Sequence, residues 1–106
     1  MSKHFLPPIP VNRILKKIGA DMKVARVRRR IPARLMAERI GVTRVTLKNM
    51  EAGKTSVAMG IYATGLFCLG LLDNLAMVAD YSRDPVGQTL SEMALVQRVR
   101  LTKDKR

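Results

Sequence analysis

Apolar residues return along this chain at helical intervals. From Asn12 onward Ile14, Leu15, Ile18, Met22 and Ala25 recur at helical spacing, with Lys16, Lys17, Lys23 and Arg26 mostly off that stripe. This is the pattern of an amphipathic helix. Gly19 weakens its middle, so the stretch reads as one long helix or two short ones. It should end near Arg30, because Ile31 precedes Pro32 and a residue before proline disfavours helical geometry. Pro32 suits the first turn of a second helix running to Ile40. Gly41 supplies the positive φ of a tight turn, and Thr43 is a good N-cap for a third helix running to about Glu51 and stopped by Gly53. Met36, Ala37 and Ile40 share one face of the second helix, and Val42, Leu47 and Met50 can meet them. After a loop over 54–57, Ala58 to Leu69 predicts a fourth helix with Ile61, Leu66, Phe67 and Leu69 available to the core, closed by Gly70. Leu71 to Ala79 predicts a fifth. Asp84-Pro85 and Gly87 mark a break. Beyond Gln88 the pattern is ambiguous: residues 96–101 fit a short strand or a frayed helix, and 103–106 read as unstructured. Pro7, Pro8 and Pro10 make residues 1–10 an extended arm, in which Phe5, Leu6 and Ile9 either stay disordered or dock.

These elements predict an all-α chain organised as an N-terminal arm (1–10), one five-helix domain (11–82) and a flexible C-terminal extension (83–106). With 47% apolar residues, 4% aromatic and no Trp, the core must be built from aliphatic side chains and the seven Met. The single Cys68, in an apolar run, reads as a reduced structural thiol, which points to the cytoplasm. One Cys and the lone His4 make no metal set. Thr55 to Leu72 holds no charge over 18 positions, just long enough to raise a membrane helix. Gly60, Gly65, Gly70 and the hydroxyl residues interrupt it, so a core helix is expected. The prolines also interrupt any signal-peptide core.

The formal net charge is +12 on 106 residues, which makes a polyanionic partner the first expectation. Residues 1–30 carry +8, 31–57 carry +3, 58–82 carry −2 and 83–106 carry +3. The division suggests one surface for nucleic acid and another for protein. No catalytic constellation or phosphate loop is visible, so neither an enzyme nor a cofactor is expected.

The third helix should leave Arg44, Val45, Lys48 and Asn49 on one outward face. Arg binds guanine bidentately, Asn binds adenine bidentately, and Val packs on a thymine methyl. An outward face on a helix braced by another can enter the DNA major groove. The plain alternative is a solvated basic face, but Gly41, Thr43, Glu51 and Gly53 all fall where a helix-turn-helix needs them. Within the run Arg26 to Arg30, Arg28 and Arg29 fit equally a nucleic-acid patch or a helix end complementing its dipole.

The segment Met36-Ala37 through Gly41-Val42-Thr43 to Met50-Glu51-x-Gly53 resembles the helix-turn-helix of Xre/Cro-family (lambda-repressor-like) repressors, over about residues 18–75. The resemblance implies base contacts from Arg44, Val45 and Asn49, backbone contacts from Thr43, Lys48 and Lys54, and an Arg26–Glu51 ion pair tying the first helix to the third. Lys48 shares the reading face and is counted with it. The chain departs from the pattern at Pro32 and Ala33, where a polar cap and a phosphate-binding Gln are usual, and at Ala52, where Asn is frequent. Arg30 and Arg34 are expected to supply the missing phosphate charge. Arg26 to Pro32, Met59 to Ala63, Leu69 to Ala76 and Asp84 to Gly87 resemble more narrowly the HipB-like antitoxins that partner HipA-type kinase toxins. That implies a homodimer on operator DNA that recruits the kinase, and possibly a further operon protein, with a partner surface at Asp73 and Asp80. A stand-alone phage-type or chromosomal repressor is the alternative. A basic RNA- or nucleoid-binding protein acting through charge alone is a third reading.

Overall fold

The computed structural model describes residues 5–104, with side chains through Arg100. The described residues form α1 (Ile9–Arg28), α2 (Ala33–Ile40), α3 (Arg44–Glu51), α4 (Met59–Cys68), α5 (Leu72–Ala76), a 3-10 turn (Tyr81–Arg83) and α6 (Pro85–Asp104). The fold is all-α, with no strand among the described residues. The chain divides between Leu72 and Asp73 into two compact units.

In the first unit α1 starts inside the stretch expected as an arm. Pro8 caps it and Pro10 falls in the first turn, where a missing N–H costs nothing and the fixed φ is already helical. The remaining arm residues 1–4 lie outside the described residues. The helix runs unbroken through Gly19, which is buried rather than weakening. A Cβ there would lie 2.6 Å from the Met50 carbonyl oxygen and 2.7 Å from that of Glu51. The missing side chain lets α1 touch the end of α3 backbone to backbone. Met22, Ala25 and Arg26 are buried on the same face, while Ile14, nearer the N-terminus, is exposed.

Four successive helices end on one hydrogen-bond pattern, the Schellman motif. The N–H groups of Ile31, Val42, Lys54 and Leu71 donate to the carbonyls of Arg26, Ala37, Asn49 and Leu66, five residues back. The left-handed residue each motif requires is Gly41, Gly53 and Gly70 in three cases and Arg30, at φ 54°, in the fourth.

The core gathers Met22, Ala25, Met36, Ala37, Leu47, Met50, Tyr62 and Leu69, with Ile18, Ile31, Ile40, Val42 and Leu66 packed against it. In α4, Gly65 and Tyr62 are the buried positions. Phe67, expected in the core, is 67% exposed. It lies two residues past Gly65, a rotation of about 200°, which carries it to the opposite side of the helix.

The second unit departs most from expectation. α5 stops at Ala76 rather than Ala79, and residues 85–104 form a helix of 20 residues. The sequence pattern predicts a flexible extension there, with strand or frayed helix open for 96–101 and 103–106 unstructured; 105 and 106 lie outside the described residues. The supposed break is a start signal. Asp84 Oδ1 accepts from the Gly87 N–H at 3.0 Å, and the Asp84 carbonyl accepts from the Gln88 N–H at 2.9 Å. Pro85 opens the first turn. Gln88 Nε2 donates to the Tyr81 carbonyl at 2.7 Å, tying α6 to the 3-10 turn. No residue from Asp73 to Arg100 is fully buried.

Candidate nucleic-acid interface

α3 is a short helix held at both ends. The Thr43 hydroxyl accepts from the Thr46 N–H at 3.1 Å, satisfying one of the free donors of the first turn. Gly53, at φ 72°, closes the other end against the backbone of Leu15 and Lys16. Leu47 and Met50 bury the inner face. Arg44, Val45 and Lys48 are left exposed and Asn49 half-buried.

A salt bridge braces α3 from behind. Arg26 Nε donates to Glu51 Oε2 at 2.7 Å and its Nη2 to Oε1 at 3.2 Å, a two-pronged arrangement. The remaining prong, Nη1, donates to the Ile31 carbonyl at 2.9 Å. The side chains are 10% and 8% exposed. Each charge is therefore partnered where little solvent reaches it, and removing one partner would strand the other at a cost of about 3–5 kcal/mol. One guanidinium thus fixes three elements: α1, the turn before α2, and α3.

Arg44, Val45 and Lys48 line an open groove of about 710 Å³, together with Lys23 of α1, Ala33 of α2 and the Arg26–Glu51 pair. Lys23 was not singled out by sequence. The signal was its place one turn before Arg26, which, paired to Glu51, turns that side of α1 toward α3. Lys54 lies in a separate groove of about 340 Å³ with Asn12, Lys16, Gly53, Thr55 and Ser56. The Lys54 carbonyl there accepts from the Tyr62 hydroxyl at 2.7 Å. Burial pushes the Tyr62 phenol above its ordinary pKa, so it remains the neutral donor.

Other expected site residues fall elsewhere. Thr43 caps α3. Asn49 is on α3 but lines neither groove. Arg30 and Arg34 are exposed at the end of α1 and on α2, and Arg34 is 3.9 Å from Glu38 across solvent. Asp73 and Asp80 are exposed in the second unit. Asp80 also caps the 3-10 turn: hydrogen bonds from the Ser82 hydroxyl and then the Ser82 N–H hold its carboxyl below the usual range. Among the described residues no group of acid, Cys or His side chains is placed to hold a metal, and no helix is long and apolar enough to cross a membrane.

No protein family matches this chain, and neither a curated protein nor a solved structure matches it. The class visible from the chain itself is an all-α protein with a small helix locked at both ends, presenting cations in a groove.

Proposed function

We propose that this protein is a sequence-specific DNA-binding repressor that reads operator DNA through α3. The observation that carries the reading is the division of α3: Leu47 and Met50 are sealed in the core, while Arg44, Val45 and Lys48 share an open, cation-lined groove. The resemblance to Xre/Cro repressors supports the same face as the one that meets the bases. Arg44, Val45, Lys48 and Asn49 then read the major groove. Thr43, Lys54, Arg30 and Arg34 serve the phosphates, joined by Lys23. Two copies with reading helices about 34 Å apart would recognise a palindrome.

Arg44→Ala and Asn49→Ala should each cost ~1–3 kcal/mol in operator binding and relax base preference at one position per half-site. Arrays of operator variants measure this. Unchanged preference in both variants would sink α3 as the reading helix.

The narrower HipB-like resemblance supports a role as the antitoxin of a HipA-type kinase operon, repressing its own transcription in the cytoplasm. Charge supports a second, protein-facing surface, since residues 58–82 carry −2. Asp73 is the better probe of that surface, because Asp80 also caps a turn. Asp73→Lys should weaken co-purification with the kinase and leave operator affinity unchanged. A chain that represses its operator but captures no operon product would instead be a stand-alone repressor.

A further inference from the structure

The second unit comprises residues 73–106 and buries no side chain among its described residues. A unit of this size rarely stands without a disulfide, a metal or association with another chain. It has no cysteine, and no metal-binding group occurs among the described residues. α6 is nevertheless rich in apolar residues: Val86, Leu90, Met93, Leu95, Val96 and Val99 are all between 50% and 68% exposed. Val86, Leu90, Met93 and position 97 are spaced four, three and four apart, the repeat of a helix that pairs with another along a seam. Gln97 occupies the fourth position and the next step of three falls on Arg100, so the apolar part of the seam is Val86, Leu90 and Met93.

Charge selects the occupant. Residues 73–97 hold Asp73, Asp80, Asp84 and Glu92 against Arg83, a net −3. Residues 98–106 hold five bases against Asp104, a net +4. Side by side in the same direction, two copies would bring ten bases together at one end. Head to tail, the acidic stretch of each copy faces the basic stretch of the other, and the helix dipoles also oppose. A register centred between Met93 and Ala94 sets Leu90 opposite Gln97 and Gly87 opposite Arg100.

We propose that α6 pairs antiparallel with α6 of a second copy of this chain across the stripe Val86, Leu90 and Met93. The inference deepens the dimer put forward above by naming its surface. It is tested without DNA, so a failure of the DNA-binding reading would leave its result standing.

The full chain, 11.8 kDa, should sediment at micromolar concentration with twice its monomer mass. The double variant Leu90→Asp/Met93→Asp should associate at least about a hundredfold more weakly, with the melting of the first unit unchanged, since neither residue belongs to the core. Orientation is read from single cysteines in a Cys68→Ser background. Met93→Cys, near the symmetry axis, should oxidise rapidly to a covalent dimer, and Val86→Cys should not. A monomeric parent chain, a dimer unaffected by the two aspartates, or equal cross-linking at 86 and 93 would each overturn the proposal. The first two would assign α6 to some other occupant, and the third would make the pairing parallel.

Discussion

Arg30 is the one non-glycine residue among those described that holds a positive φ. A left-handed arginine costs about 1–2 kcal/mol. Glycine there would remove the strain but lose about 0.5–1 kcal/mol through its freer unfolded chain. Arg30→Gly should therefore stabilise the protein by roughly 0.5–1 kcal/mol, seen as a melting temperature raised by a few degrees. If Arg30 serves a phosphate, the same variant should bind DNA more weakly. A stabilised variant with unchanged DNA affinity would place Arg30 outside the interface. Arg26 and Glu51 were legible because both residues fall in a motif whose ion pair the resemblance implies. The third prong to Ile31 was not, because a backbone acceptor leaves no mark in side-chain spacing. Lys23 and Lys16 were hidden for a related reason: sequence shows which residues are off the apolar stripe, but not what lies beside them.

At the scale of elements, the bracing of α3 depends on two close backbone approaches, at Gly19 and at Gly53. Ala for Gly in a helix ordinarily helps by 0.5–1 kcal/mol. Gly19→Ala should reverse that sign and destabilise by about 2 kcal/mol, because its Cβ meets backbone atoms that cannot rotate away. Denaturant titration measures this, and a stabilised variant would mean that α1 and α3 are not in contact there. The helix boundaries from α2 to α4 were readable to within about a residue because Pro32, Thr43 and the glycines act locally. Phe67 was misplaced because an apolar helix with little polar contrast does not say which side is inside. α6 was missed for two reasons. Asp84-Pro85 looks the same whether it ends a helix or begins one, and the valines at 96 and 99 favour a strand unless the start is recognised.

For the molecule as a whole, charge is divided between the units. Residues 1–72 hold fourteen bases and three acids, +11 of the +12, and residues 73–106 hold six and five. DNA binding should therefore weaken steeply with salt, with a slope of about −0.9 per phosphate contact. Lys23→Ala should reduce that slope by roughly one per chain while leaving base preference intact. A salt-independent affinity would contradict a phosphate-facing first unit. The core has a chemical consequence too. Met22, Met36 and Met50 are almost wholly sealed from solvent, and Gly65 packs against two of them. While the chain is folded, an oxidant in solution has no route to these sulfurs. During each unfolding event all three stand open. A sulfoxide formed then is polar and branched, and it would return to a cavity lined by aliphatic groups with no donor to satisfy it. Oxidation of these three methionines would thus proceed only through the unfolded chain and would be locked in by failure to refold, so once the oxidant outpaces refolding their loss should follow the rate of unfolding rather than the dose of oxidant.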